Sequence, residues 1–455
     1  MNSAAFFDVL ASITDRSRNL LSRRDLDLAQ TEAASGLIDL CEALLSGRGE
    51  ASGTAIATEV LERYLHLDAT GRLALFEGFA EKFGPDRAKL ADAAESWLRD
   101  PFSADASDLH YFSEARRQEL FRRLNRAPGG THALVRMRAD LLELAPNHKA
   151  LAPVDRDLVH LLSSWFNRGF LMLRRIDWSS PAIVLEKIIH YEAVHEIRDW
   201  ADLRRRIDPL DRRCYGFFHP ALIDEPLIFV EVALTEAMPS AIAPLLAEDR
   251  PAVALEQART AVFYSISNCQ RGLAGISFGN FLIKQVAEDL RRELPKLDTF
   301  VTLSPAPGFL QWLQRDEGPA LSPENRSLLE SLDDSAWPRD ALAAERLRRV
   351  MEPLAAQYFL KAKRADGKPL DPVARFHLGN GAKLERINWR GDLSAKGLRD
   401  SAGLMVNYLY DLDEVEKNHE AYANQGEVVA SAAVKKLLKS ETRSRFGRAA
   451  AASIT

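Results

Sequence analysis

Two short segments carry residue types that move protons. Ser304 lies in a short strand-like run that ends Thr302, Leu303, Ser304, Pro305, and the chain then turns sharply through Pro307 and Gly308. That places its hydroxyl at the rim of a sheet, where functional side chains often sit. His377, in the segment Arg375 to Gly381, lies on another turn. A hydroxyl and an imidazole are components of acid–base and nucleophilic catalysis, the imidazole because its ordinary pKa is near neutrality. Spacing does not show that the two meet, and singly each also reads as a turn serine and a surface histidine.

A second set of residues is grouped in one loop. Gly275, Ser277 and Gly279 match G-x-S-x-G, the turn that presents a hydrolase nucleophile. Such a turn needs its strand to run directly into the first glycine, whereas here the apolar run Ala261 to Ser267 stops short of it. Ser277 therefore reads more naturally as lining or capping the start of the next helix. The preceding residues, Gln270 to Gly275, lie between strand and helix, with glycines for close backbone approach and Arg271 for charge. They suit an anion such as a phosphate, yet glycines there serve packing equally well. The loop is neither a Walker A sequence nor G-x-G-x-x-G. His190 and His195 suggest a zinc helix, but residues five apart sit about 140° round a helix and share no face.

These residues must be positioned by the elements around them. From residue 1 to about 147 apolar residues recur at three and four, as in Leu37, Leu40, Leu44 and Val60, Leu61, Tyr64, Leu65. Breaks fall at Gly47 to Gly49, Asp68 to Gly71, Gly84 to Asp86 and Ala127 to Gly130, so an antiparallel helix bundle is expected. Pro146 and Pro153 flank a linker-like segment, and mixed α/β texture follows. Strands are expected at Gly169 to Trp178, Leu227 to Leu234 and Ala261 to Ser267, and a short one ends at Ser304. Helices are expected at Ile183 to Val194, Pro323 to Leu332, Ala341 to Lys363 and Glu427 to Lys439, with an edge strand at Leu404 to Tyr410. The helix after the glycine loop carries a buried stripe of Phe278, Leu282, Val286, Leu290 and Leu294. The fold class expected is α+β overall: an all-α domain over 1–150, for scaffolding or oligomerisation, and an α/β catalytic domain over 151–455.

Composition narrows the partners. The 455 residues have a formal charge of −5, from 60 Lys+Arg against 65 Asp+Glu, which argues against nucleic acid as the main partner. Three scattered cysteines, Cys41, Cys214 and Cys269, indicate neither a disulfide framework nor a cysteine zinc site. No run reaches the length of a membrane span and the N-terminus lacks a secretory pattern, so a cytoplasmic protein is expected.

Five blocks in order carry a family resemblance: HPALIDEPLIFVEVALTE (219–236), FYSISNCQRGLAG with FLIK (263–284), LSPAPGF (303–309), FHLGNGA with INW (376–389) and GLMVNYLY (403–410). Together they resemble malonyl-CoA decarboxylase. The resemblance implies a helical N-terminal domain used in self-association, as a tetramer, and a C-terminal domain of N-acetyltransferase-like (GNAT) fold. It implies a coenzyme A site at Gln270, Arg271, Gly272, Ala274, Gly275, Ile276, Ser277, Phe278, Gly279 and Asn280. It makes Ser304 and His377 catalytic and sets Ser265 and Tyr410 around them. The chain departs from the family pattern at Ser277, where relatives carry glutamate.

The implied reaction takes malonyl-CoA to acetyl-CoA and CO2 through a thioester enolate. The thioester carbonyl is itself the electron sink, so neither cofactor nor metal is expected. A protonated imidazole suits delivery of the final proton, and a serine that acts as base is equally compatible. An acyl-CoA acyltransferase of the same fold, or a non-catalytic acyl-CoA sensor, are the alternatives.

Overall fold

The computed structural model describes residues 28–46, 49–102, 105–315, 321–334 and 336–438. The expectations for residues 1–27, for Gly47 and Arg48, for Lys439 and for the final residues lie outside these. The chain divides into two compact units: Met1–Leu171 with His219–Ile223 and Gln270–Phe278, and Met172–Phe218 with Asp224–Cys269 and Gly279–Thr455. Among the described residues no helix is long and apolar enough to cross a membrane.

The first unit is helical. After a helix over 28–46 come Glu50–Tyr64, Ala69–Lys82, Arg87–Arg99, Ala106–Ser113, Arg116–Leu124, Gly130–Leu144 and Ala152–Trp165. Aspartates start several of them by accepting from free backbone N–H groups: Asp68 from Gly71, Asp86 from Lys89 and Asp105 from Ser107. The core is aromatic, with Phe79 edge-on to Phe121 at 5.7 Å and to Phe83 at 6.0 Å. The segment around Pro146 and Pro153 is not a free linker. Pro146 lies in a 3-10 turn, Ala145–Asn147, and Pro153 in the first turn of Ala152–Trp165, where its missing N–H has no helical partner to lose.

The second unit is built on one mixed sheet: β1 (Met172–Ile176), β2 (Arg212–Phe218), β3 (Pro226–Thr235), β4 (Thr260–Asn268), β5 (Thr299–Thr302), β6 (Ser304–Pro305), β7 (Lys383–Asn388) and β8 (Met405–Leu409). The order is β1-β2-β3-β4-β5-β8-β6, with β7 also paired to β8. Among the named strands of the described residues only β4 and β5 pair in parallel, and the helix Leu282–Glu293 lies between them in the chain. Its buried residues, Leu282, Ile283, Val286, Ala287 and Leu290, include three of the expected stripe, whereas Phe278 and Leu294 lie outside the helix.

Two departures from the expected elements matter for the site. Leu404 to Tyr410 holds an interior strand, not an edge, because β8 pairs with β5, β6 and β7. β3 and β4 slip register by one residue: Glu231 faces Ser265 while Val232 faces Phe263, leaving Tyr264 as the extra residue of a β-bulge. A bulge twists the strand and re-aims its neighbours, here beside the cavity described next.

Candidate functional site

The second unit brings three sequence-predicted residues together. Ser304 in β6 is pinned opposite Val406 and is 5% exposed. His377 does not lie on a turn. It occupies the helix Pro372–Gly379, whose Asp371 caps the start by accepting from Ala374 N and whose Pro372 sits in the first turn. Ser304 Oγ is 3.0 Å from His377 Nε2, and His377 Nδ1 is 2.9 Å from the Tyr410 hydroxyl. Ser304 donates to Thr302 Oγ1 at 2.9 Å, and that oxygen also accepts from the Tyr408 N–H at 3.1 Å. With the serine proton committed to Thr302, the hydrogen-bond network assigns Nε2–H of His377 as donor to Ser304, and Nδ1 as acceptor from Tyr410.

The surroundings set the protonation state. His377 is 2% exposed and stacks on the Tyr408 ring at 4.6 Å. Burial pushes its pKa down to about 3, so the imidazole is neutral at rest. Burial likewise raises the Tyr410 phenol well above its ordinary value, keeping it a proton donor. Ser304 and His377 line a cavity of about 250 Å³ with Phe263, Tyr264, Pro305 and Phe376 among its walls. The imidazole's outer partner is a phenol and among the described residues no carboxylate lines this cavity, so the arrangement differs from a Ser-His-Asp triad. A polarised hydroxyl and a neutral imidazole beside apolar walls can hold an anion and pass a proton. Among the described residues no cluster of side chains suits a metal ion.

Thr302, Tyr408 and Asp371 were not picked out in the sequence. Thr302 and Ser304, two apart in an extended run, share a sheet face by the strand period. The Asp371-Pro372 pair is a helix-start signature that would have replaced the expected turn.

Ser265 is not part of this cavity lining. Its hydroxyl lies 2.7 Å from both Glu192 oxygens and donates to that carboxylate, which also accepts from the N–H groups of Val194 and His195. Glu231, opposite Ser265 and fully buried, is pushed up to about 8 by burial and by Glu192, against the pull of Arg206 at 3.3 Å. Ser265 thus belongs to a hydrogen-bonded group with the half-buried Glu192, opposite the buried Glu231.

The glycine loop is split. Gln270–Phe278 belongs to the first unit, Gly279 and Asn280 to the second. A Cβ at Gly272 would lie 1.8 Å from the Val135 carbonyl oxygen, so this glycine serves close packing on the helix Gly130–Leu144. Arg138 donates to the carbonyls of Gly272 at 2.7 Å and Ala274 at 2.9 Å, and Arg271 pairs with Glu143. Ile276 and Phe278 are buried. Ser277 is exposed, and the next helix begins only at Leu282, so no nucleophile turn forms there. Asn280 lies in the second unit, 3.3 Å from His419. His195 lies beyond the end of the helix Ala182–Tyr191, which removes the zinc-helix pattern.

Comparison with known proteins agrees with the five blocks. The malonyl-CoA decarboxylase N-terminal domain matches residues 83–166 and its C-terminal domain residues 169–448. The chain is 37% identical over 415 residues to mitochondrial malonyl-CoA decarboxylase of Anser anser anser, spanning 82% of this chain and 81% of that one. Against the mitochondrial protein of Mus musculus it is 37% identical over 400 residues, 80% and 81% of the two chains. The crystal structure of malonyl-CoA decarboxylase from Rhodopseudomonas palustris superposes with a TM-score of 0.86 at 57% identity, over 89% of this chain and 99% of that one. That from Agrobacterium vitis does so at 0.84 and 56%, over the same shares of 89% and 99%. Because one domain match covers more than half of its length and these relatives align over most of the rest, the chain belongs to the malonyl-CoA decarboxylase family.

Proposed function

We propose that this chain converts malonyl-CoA to acetyl-CoA and CO2 at Ser304 and His377. The observation that supports it is the buried hydrogen-bonded run Thr302, Ser304, His377, Tyr410 against an apolar-walled cavity. The carboxylate carbon leaves as CO2, and its bonding electrons pass onto the thioester oxygen as an enolate. A proton then goes to the α-carbon, so each turnover consumes one proton. A neutral His377 does not store that proton in the free enzyme. The malonyl carboxylate, to which the Ser304 proton turns from Thr302, lies next to the imidazole and raises the pKa of His377, and binding takes the proton up. Loss of the carboxylate as CO2 leaves the imidazolium beside the enolate, to which it donates.

The coenzyme A portion is assigned to Gln270 to Asn280, supported by the place of this loop between β4 and a helix whose start has no side-chain cap. A GNAT-like architecture for 151–455 is supported by the parallel β4–β5 pair in an otherwise antiparallel sheet and by the bulge at Tyr264. The 1–150 region serves self-association. Helices Arg87–Arg99 and Ala106–Ser113 bury no residue within the chain, and Leu98, Phe102 and Tyr111 stand exposed. Three unpaired cysteines fit a reducing cytoplasm.

The test is incubation of the purified chain with malonyl-CoA alone. Expected are acetyl-CoA and CO2 in equal amounts, with kcat reduced about 100-fold or more in Ser304→Ala and His377→Ala. An absolute need for an acyl acceptor would make the chain an acyltransferase, and malonyl-CoA bound but intact would make it a sensor.

A further inference from the structure

A second cavity in the second unit, about 580 Å³, is larger than the one at Ser304 and shares none of its lining residues. It is bounded by the end of β7, the residues that follow it and the helix Ala341–Lys361. Its walls contain three arginines and two glutamates. Arg348 lies 2.9 Å from Glu352 and 3.8 Å from Glu345, and Glu345 is also met by Arg349 at 3.7 Å. Among the described residues Arg386 and Arg390 form no ion pair. Arg386 donates to the carbonyls of Met238 and Pro239 and to the side chain of Asn407, and Arg390 donates to the carbonyl of Pro338. Carbonyls and amides orient a guanidinium without neutralising it, and Glu385, the negative charge near Arg386, makes no ion pair with it and is itself paired with Lys383 at 2.8 Å. Burial accordingly lowers the Arg386 pKa.

Arg390 adds two further signs. Its φ is 57°, a left-handed conformation rare outside glycine, and its Nε is buried with no hydrogen-bond partner. Because that Nε is enclosed, a molecule in the cavity would meet the terminal nitrogens of Arg390, of which Nη2 already donates to Pro338, and the left-handed backbone marks a residue held in place. The adjoining Trp389 is fixed by Nε1 donating to the Ala344 carbonyl and by stacking on Trp337 at 5.2 Å, so a rigid indole stands beside the two cations.

We infer that this cavity binds a small organic dianion, its charges met by Arg386 and Arg390 and its carbon skeleton lying against Trp389. The volume lies within the range of about 300–1,000 Å³ common for metabolite sites, and two separate cations match two negative charges better than one. A dicarboxylate and a phosphate monoester share the required chemistry. The site is independent of the reaction assigned to Ser304 and His377.

The test is calorimetric titration of the full chain with succinate and, separately, with glycerol 3-phosphate. Saturable binding of either supports the inference, and which one binds names the anion. Arg390→Asn keeps a residue that tolerates left-handed φ, and its affinity should fall about tenfold or more, the scale of one lost charge-assisted hydrogen bond. Arg386→Gln should weaken binding similarly, while His377→Ala should bind as the native chain does. If neither probe saturates, or Arg390→Asn binds as tightly as the native chain, the inference is overturned.

Discussion

His377 is the residue on which the chemistry turns, and its burial makes a kinetic signature. With its pKa near 3 in the free protein, a proton required for turnover must be collected during binding. The value of kcat/KM, which reports the free enzyme, should fall with rising pH across the neutral range by up to about tenfold per unit. The value of kcat should stay level until the raised pKa of the complex is passed. Initial rates between about pH 6 and 8 check this, and a flat kcat/KM would remove His377 as the carrier of the proton. Burial of the neutral ring also links stability to pH. The folded pKa lies below the ordinary 6.5, so this contribution is present above 6.5 and is lost as pH falls toward 3. Ser304 and His377 stood out in the chain as residue types, but their meeting did not. They are 73 residues apart, and only the pairing of β6 with β8 and the capped helix of His377 join them.

At the scale of elements, the helix Pro372–Gly379 depends on Asp371. One carboxylate oxygen caps the helix and the other accepts from Tyr358 at 3.1 Å. Burial raises this carboxyl from 3.8 to about 6, the opposite direction from His377. Its contribution to stability is therefore full below 3.8 and is lost as pH rises through 6. Asp371→Asn retains a capping oxygen without the charge and should gain stability relative to the native chain above pH 6. Asp371→Ala should lose about 1–2 kcal/mol and, by loosening the helix, lower kcat more than it changes KM. Urea unfolding at two pH values, with parallel kinetics, separates the two outcomes. How legible the elements were follows from their composition. The run Leu227 to Leu234 of β3 is apolar and β-branched and reads directly as a strand. β2 opens with Arg212 and Arg213, which look solvent-facing but are buried, Arg213 against Glu293 at 2.6 Å. β7 is masked in the same way by Lys383, Glu385 and Arg386. Such strands are specified by ion pairs and carbonyl contacts made after folding, and hydrophobic periodicity does not register them.

For the whole molecule, helical periodicity through the first 147 residues and α/β texture afterwards were visible in the sequence. Which segments pack together was not, since that depends on contacts such as Gly272 on Val135. If the helical region self-associates as proposed, replacing Leu98 and Phe102, 79% and 100% exposed, by lysine should give a smaller species than the native chain in light scattering after size exclusion. An unchanged mass would place self-association elsewhere.

The contribution of Gln270–Phe278 to the first unit also dictates an order of events during synthesis. The helix Gly130–Leu144 is made before the Gly272 and Ala274 carbonyls to which Arg138 donates and before the glycine that packs on Val135. At a translation rate of about 5–20 residues per second, several seconds pass before the segment that carries them is made. Until then the nascent helices form an incomplete body exposed to chaperones and proteases. A gene fragment ending after residue 171 would hold that body permanently in the same unfinished state.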